Sequence, residues 1–256
     1  MSRMTEQYKD SSKLSARVQL YQRSSTEVQG LSEWVFDRLD LAPDSRVLEL
    51  GCGTGHLWSS NLGRIPDGWD VTLTDMSPGM LKEAEDHLAA TGRRFSFEVV
   101  DAQAIPYDDS GFHTVIANHM LYHVPEKPRA FSEVHRVLRP GGRLFATTLG
   151  RGHLRKLREL VEGVVPDAWS SGIDSDTLGL ENVAEQLSGW FSKVSTHRKQ
   201  DPLEVTEVDA LVTYAWSTDR MTDHQLKEFE AVCAREMAQD GVIRIATDVC
   251  MFEATK

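Results

Sequence analysis

The sequence predicts a doubly wound α/β fold, in which a seven-stranded and mostly parallel sheet carries helices on both faces. Three observations support this prediction. Short apolar runs alternate with amphipathic helical patterns between residues 46 and 148, as in proteins built on a parallel sheet. These runs are mostly apolar, as expected for strands buried on both faces. The chain has 256 residues, which suits one such domain with a modest appendage.

The chain is predicted to begin with two helices. Leu14, Val18 and Tyr21 recur at helical spacing within an otherwise polar segment, which indicates a short helix. Residues 31–39 (LSEWVFDRL) read as an amphipathic helix. Pro43 and the aspartate after it then make a turn before the first strand.

Five strands and three helices are predicted to follow. The strands are residues 47–50, 71–74, 95–100, 114–117 and 143–148, and the helices are residues 56–64, 80–90 and 129–138. Right-handed crossovers place the carboxyl ends of such strands on one edge of the sheet. Ligands of open α/β sheets bind at that edge, where the strand order reverses.

The C-terminal part is predicted to complete the sheet. Residues 191–197 and 242–252 resemble strands, and residues 207–216 and 224–237 between them resemble helices. The final strand is predicted to be antiparallel, and the helical insertion is predicted to form a lid over the edge of the sheet. We expect a single domain with an N-terminal cap segment (1–30), a ligand-binding core (31–150), and lid helices with closing strands (151–256).

Composition excludes several classes of function. The formal net charge is -11, which argues against a nucleic-acid partner because such proteins need a basic surface. The basic run at residues 151–158 is predicted to be the solvated face of a helix. Three scattered cysteines, without a CxxC pair, suggest neither a metal site nor a disulfide framework. The polar N-terminus lacks a signal sequence, and no stretch is long and apolar enough to span a membrane, so we expect a cytoplasmic protein.

The sharpest motif is the run VLELGCGTG at residues 47–55, between a predicted strand and a predicted helix. Gly51, Gly53 and Gly55 allow a tight turn and a close approach of a ligand to the main chain. The helix that follows presents free N–H groups to polar ligand atoms. A tight turn without a ligand could use the same glycines. The spacing differs from the GxGxxG of nicotinamide-dependent enzymes, which disfavours an oxidoreductase.

Polar residues also follow the next three predicted strands. Asp75 ends the second strand, Asp101 the third and Asn118 the fourth. A carboxylate after the second strand suits the hydroxyl groups of a ribose. Asp75 could instead cap the next helix, but Ser77, which precedes a proline, suits that role better. A glycine-rich or polar turn at each of four successive strand ends is hard to explain without a ligand.

Taken together, these motifs resemble those of the class I S-adenosylmethionine (SAM)-dependent methyltransferases. The segments ELGCGTG, VDAQAIPYDDSGFHTV, NHMLYHVPE and HRVLRPGGRL follow one another as in the broad group that includes ubiquinone/menaquinone-type and natural-product enzymes. The match runs from residue 46 to residue 148. It implies a Rossmann-like methyltransferase fold with SAM as the cofactor.

The resemblance also implies roles for individual residues. The methionine part of SAM is expected at Glu49 and at residues 51–55, including Cys52, and the ribose at Asp75. Met76, Asp101 and Ala102 are expected around the adenine, and Asn118 near the sulfonium. The N-terminal segment is expected to close over the cofactor through Tyr8, Arg17 or Tyr21.

Three residues after the fourth strand are candidates for catalysis. His119, Tyr122 and His123 lie where a base could remove a proton from a methyl acceptor. They could equally pack and cap the following helix. A metal site of both histidines with Glu126 is disfavoured, because Pro125 interrupts the helix that this spacing would need.

The predicted function is methyl transfer from SAM to an oxygen, nitrogen or carbon of a small molecule such as a secondary metabolite, by a monomer or homodimer. Trp169, Trp190, Tyr214 and Trp216 could line an acceptor pocket in the lid or belong to its core. Asp174 and Asp176 could bind a basic acceptor. The alternatives are an RNA or protein methyltransferase and a non-catalytic SAM-binding regulatory protein. The turn at residues 118–121 (NHML) lacks the Asn/Asp-Pro-Pro-aromatic pattern of enzymes that methylate amino groups of bases.

Overall fold

The computed structural model describes residues 10–168 and 178–256. Its main sheet has seven strands in the order β3-β2-β1-β4-β5-β9-β6. The final strand runs antiparallel to both of its neighbours, whereas the pairs from β3 through to β5 are parallel. The predicted seven-stranded, mostly parallel sheet with an antiparallel last strand is therefore confirmed. The strands are β1 (Arg46–Leu50), β2 (Asp70–Asp75), β3 (Ser96–Val99), β4 (Phe112–Asn118), β5 (Leu138–Leu149), β6 (Lys193–Lys199), β7 (Leu203–Val205), β8 (Ile243–Ile245) and β9 (Val249–Thr255).

Helices cover both faces of this sheet. They are α1 (Ser12–Ser24), α2 (Leu31–Phe36), α3 (His56–Ser59), α4 (Pro78–Ala89), α5 (Lys127–Val137), α6 (Arg155–Glu162), α7 (Val183–Leu187), α8 (Val208–Trp216) and α9 (Asp223–Asp240). One buried cluster, with Leu48, Val115 and Phe131, fills one face. A second, with Trp58, Leu73 and Phe145, fills the other face.

The predicted helix over residues 56–64 is wrong in its extent. Helix α3 ends at Ser59, and a separate 3₁₀ turn covers Leu62–Arg64. Asn61 causes the break, because its side-chain amide donates to the Leu57 carbonyl at 2.8 Å and leaves the backbone outside the helical region.

The predicted final strand over residues 242–252 is two strands. β8 pairs with β7 in a separate two-stranded sheet that the sequence did not predict, and β9 completes the main sheet. The chain leaves β8 near Asp248, whose carboxylate accepts from the Arg198 guanidinium at 2.6 and 2.8 Å. This ion pair, in which the carboxylate is buried and the guanidinium is exposed, interrupts what reads in sequence as one strand.

A third cluster joins α1 to the C-terminal insertion. Leu20, Leu157, Leu211 and Phe229 are buried together, so α1 packs beside α6, α8 and α9 next to the carboxyl edge of the sheet. The basic run at residues 151–158 enters α6, where Arg155 is exposed but Arg158 is only partly exposed and lines a cavity. No helix in the two described ranges combines the length and apolarity that crossing a membrane requires.

Candidate functional site

A cavity of about 1410 Å³ lies at the carboxyl edge of the sheet. Its floor includes the turns after β1, β2, β4 and β5, and α1 and the end of α8 contribute to its walls. The site therefore lies where the doubly wound topology predicts one, because β1 and β4 are neighbours at the point of strand-order reversal.

The glycine turn forms one wall of this cavity. Gly51, Gly53 and Gly55 have φ values of +65°, +55° and +75°, a region that side chains other than glycine adopt at a cost. A Cβ added at Gly51 would lie 2.8 Å from the Cβ of Met120. The three glycines are therefore required by backbone conformation, and Gly51 also by close packing.

Replacing Gly51 with alanine tests this requirement. We expect Gly51→Ala to lower the free energy of unfolding by about 1–3 kcal/mol, because the φ value is unfavourable and the added methyl group meets Met120. The matched control is Gly63→Ala, where an added Cβ has no atom within 4 Å and φ is not positive. Urea denaturation of both variants measures the difference, and equal stabilities would contradict the assignment.

Asp75 braces the glycine turn from the end of β2. Its carboxylate accepts from the Gly53 N–H at 2.9 Å and the Ser77 N–H at 2.8 Å. The Ser77 hydroxyl caps α4 by accepting from the Met80 N–H at 3.3 Å. Ser77, and not Asp75, therefore caps α4, as predicted. Burial raises the pKa of Asp75, and the main-chain donors oppose that rise.

Glu49 is a buried carboxylate at the end of β1, with 2% of its surface exposed. Trp58 Nε1 donates to it at 2.5 Å, and Asn118 Nδ2 donates at 3.4 Å. Burial raises the pKa of Glu49 to about 7, although both donors act in the opposite direction. Trp58 is a contributor that sequence analysis missed, because its periodicity indicates only a core position.

The adenine-side candidates lie at the edge of the same cavity. Asp101 is exposed and accepts from the main-chain and side-chain N–H groups of Gln103 at 2.8 and 3.0 Å. Ala102 is buried, and Met76 is 53% exposed. Cys52 is buried in the turn, where desolvation raises the pKa of its thiol, so it is a poor nucleophile.

His119, Tyr122 and His123 all line the cavity. The His119 N–H donates to Thr147 Oγ1 at 3.0 Å, and its φ of +51° directs the chain sharply away from β4. The Tyr122 and His123 rings lie 4.4 Å apart. Loss of solvation lowers the pKa of both histidines to about 4. The described part of the chain contains no group of three residues placed to hold a metal ion.

Helix α1 extends along the cavity from the glycine turn to its far end. The Leu14 side chain lies near Gly53. Arg17 donates to the Ser217 hydroxyl at 3.2 Å and to its carbonyl at 3.0 Å. Tyr21 lies two turns beyond Leu14, about 10 Å along the helix axis.

The Tyr21 hydroxyl is paired with His153, a residue that sequence analysis missed. The Tyr21 oxygen lies 3.0 Å from Nε2 of His153, whose Nδ1 accepts from the Asp248 N–H at 3.1 Å. Since Nδ1 is an acceptor, the neutral ring carries its proton on Nε2 and donates it to Tyr21. Burial lowers the pKa of His153 to about 3 and raises that of Tyr21. Only the fold brings this pair together.

The aromatic lid was predicted only in part. Tyr214 lines the cavity, but Trp190 packs against the core cluster of the sheet and Trp216 is 45% exposed. Tyr8, Trp169, Asp174 and Asp176, also considered above, lie outside the described residues.

Comparison with known proteins agrees with the resemblance seen in the sequence. Residues 47–142 match a methyltransferase domain family. The ubiquinone biosynthesis O-methyltransferase of Xanthomonas euvesicatoria is 37% identical over 120 residues, which are 46% of this chain and 48% of that enzyme. The chain therefore spans about half the length of the curated relatives it matches.

Two solved structures share the fold. Phosphoethanolamine N-methyltransferase 2 of Haemonchus contortus, solved with S-adenosyl-L-methionine, has a TM-score of 0.58 and 17% identity over 95% of this chain and 56% of its own. The [4+2]-cyclase SpnF has a TM-score of 0.57 and 23% identity over 88% of this chain and 80% of its own. Residues 47–142 therefore match a methyltransferase domain family, and the chain around them has a fold shared with a methyltransferase solved with S-adenosyl-L-methionine.

Proposed function

We propose that this protein transfers a methyl group from SAM to an oxygen, nitrogen or carbon atom of a small molecule. The observation that carries the proposal is the extent of one cavity, whose lining runs from the glycine turn and Asp75 to Tyr214, Arg158 and Lys199. We call the end at the glycine turn and Asp75 the first compartment, and the end at Tyr214, Arg158 and Lys199 the second compartment. The first compartment fits the cofactor, and the second would hold the acceptor beside it. We further propose that the chain is a single domain composed of a cap segment (1–30), a SAM-binding core (31–150), and lid helices with closing strands (151–256).

The residues of the first compartment fit SAM. Gly51, Gly53 and Thr54 line the cavity, so the main chain of the glycine turn borders the space that a ligand would occupy. Glu49 has no Lys or Arg partner within the described residues, and a cationic ligand would satisfy its buried charge. We assign the methionine part to Glu49, residues 51–55 and Asn118, the ribose to Asp75, and the adenine to Met76, Asp101 and Ala102.

When bound, SAM would supply a methyl group on a positively charged sulfur, and the sulfur would keep the electron pair of the C–S bond when a lone pair of the methyl acceptor displaces it. The chain's own contribution is positioning and exclusion of water. Helix α1, with Arg17 and Tyr21, covers both compartments. Tyr122 and the two histidines after β4 face the acceptor, and His123 or His119 would take its proton where one must leave.

The low histidine pKa values predict an unusual pH profile. A base must be neutral to act, and a histidine whose pKa is lowered to about 4 is neutral at every pH above about 5. We therefore expect kcat at saturating SAM to stay constant from pH 8 down to about pH 5. With a histidine of ordinary pKa, kcat would instead fall as pH decreases through about 6.5. A fall of kcat at that pH that is absent in His123→Gln would contradict the lowered pKa and show that the histidine is solvated.

A second candidate function is SAM binding without methyl transfer. The structural similarity to a protein named as a [4+2]-cyclase is the reason to keep this candidate, because one fold hosts several chemistries. Methylation of RNA or protein is a third possibility, which the net charge of -11 disfavours for RNA.

Turnover separates these candidates. SAM labelled in its methyl group is incubated with the protein and with separated small-molecule, RNA and protein fractions of a cell extract. The proposal predicts S-adenosylhomocysteine and labelled product only with the small-molecule fraction. Label in the RNA or protein fraction would contradict the acceptor class, and binding without turnover in any fraction would favour the second candidate.

A further inference from the structure

The charges lining the cavity are segregated by compartment. Glu49, Asp75 and Asp101 line the cofactor end. Glu27, between α1 and α2, and Glu33, in α2, also line the cavity. Within the described residues, the lysine and arginine side chains that line the cavity are Arg17, Arg158, Lys199 and Arg220. All four belong to, or hydrogen-bond with, the C-terminal half of the chain, where Asp201 is the lining carboxylate.

Two of these cations, Lys199 and Arg158, form no ion pair within the described residues, although Glu162 and Glu159 lie close enough to act on Arg158 electrostatically. Lys199 is 8% exposed, and no hydrogen bond or ion pair to its ammonium occurs within residues 10–168 and 178–256. The nearby Asp201 carboxylate accepts instead from the Ser25 hydroxyl at 2.5 Å. Arg158 donates to the Arg151 carbonyl, but its buried Nε has no partner. Buried cations are costly unless an anion compensates them.

The strand register fixes how far Lys199 lies from the reacting end. Lys199 of β6 stands beside Val249 of β9, which stands beside Leu149 of β5. Asn118 of β4 pairs with Thr147 of β5. Three strand spacings therefore separate Asn118 from Lys199, about 14 Å across the sheet.

We propose that the acceptor is an elongated molecule with a carboxylate or phosphate group at the end remote from the methylated atom, and that Lys199 and Arg158 bind this anion. The inference rests on the proposed function for the identity of the cofactor end, but the anion site itself does not depend on it. Tyr21 and Tyr214 line the space between the two ends and would contact the body of the acceptor.

Calorimetry with three probes of one shape tests the proposal. Phenylbutyrate carries a carboxylate, phenylpropyl phosphate a phosphate, and phenylbutyramide no charge. Each is titrated into the protein with and without saturating S-adenosylhomocysteine. We expect at least one acid to bind about tenfold or more tightly than the amide, and the tighter acid identifies the anion.

Variants of Lys199 and Arg158 test whether these two side chains cause the preference for the acid over the amide. The double variant Lys199→Gln/Arg158→Gln should abolish it, whereas Lys199→Arg/Arg158→Lys should retain it and guards against a loss of folding. The matched control is Lys193→Gln/Arg155→Gln, on the same strand and helix at exposed positions. Equal binding of acid and amide, no binding of either acid, or a preference that survives the first double variant would overturn the proposal. Failure of S-adenosylhomocysteine to bind would count against the proposed function alone.

Discussion

Substitution of Asp75 by alanine is expected to weaken SAM binding by at least about 100-fold. Two hydrogen bonds to a carboxylate, each contributing about 1.5–3 kcal/mol, would be lost from the ribose. The variant also removes the acceptor for the Gly53 and Ser77 N–H groups, so the glycine turn loses its brace. Calorimetric titration with SAM and with S-adenosylhomocysteine measures the loss, which should be similar for both ligands because they share the ribose.

Two further variants make this result specific. Asp75→Asn keeps the shape but has a single acceptor oxygen, so we expect an intermediate loss of about tenfold. Asp70→Asn, at the other end of β2, changes an exposed carboxylate paired with Arg46 at 3.4 Å and should leave binding unchanged. Wild-type affinity in Asp75→Ala would remove Asp75 from the site.

Substitution of Glu49 by glutamine is expected to change stability and binding in opposite directions. The folded-state pKa of about 7 exceeds the ordinary value of 4.5, so the folded protein binds more protons than the unfolded chain between these pH values. Stability of the free protein is therefore lost as pH rises from about 4.5 to 7. Glutamine carries no such penalty, and Glu49→Gln should be more stable at pH 8 by up to about 3 kcal/mol, with no difference near pH 4.

The same variant should bind SAM about 10- to 100-fold less tightly at pH 8, because the charge opposite the cationic cofactor is gone. In the wild type, SAM affinity should fall by up to about tenfold per pH unit below pH 7, and this dependence should vanish in Glu49→Gln. Trp58→Phe keeps the carboxylate but removes a donor that lowers its pKa, so the fall should begin at higher pH. Affinity independent of pH between 5 and 7 in the wild type would contradict this assignment of Glu49.

The sheet could be predicted because its strands are short buried runs bounded by turn residues. The failures have local physical causes. Residues 242–252 contain no glycine or proline to mark the break that Asp248 makes by pairing with Arg198. The two-stranded β7–β8 sheet consists of three-residue strands, too short to show a period.

Part of the candidate site could likewise be predicted from the sequence, and part could not. The glycine turn, Asp75 and Asn118 could be predicted because they follow strands whose carboxyl ends the topology brings together. Trp58 against Glu49, and His153 against Tyr21, are tertiary pairings of residues that local spacing does not distinguish from packing positions. For the lid aromatics the sequence left both roles open, and the structure divides them: Tyr214 lines the cavity, whereas Trp190 packs against the core cluster of the sheet.

Calorimetric titration of the wild-type protein with SAM, S-adenosylhomocysteine and NAD tests whether the cavity is a SAM site. We expect saturable, one-to-one binding of the first two and no binding of NAD, because the glycine turn lacks the dinucleotide spacing and the buried carboxylate of Glu49 favours a cationic ligand. Binding of NAD, or no binding of SAM and S-adenosylhomocysteine, would contradict the assignment of the cavity as a cofactor site for methyl transfer.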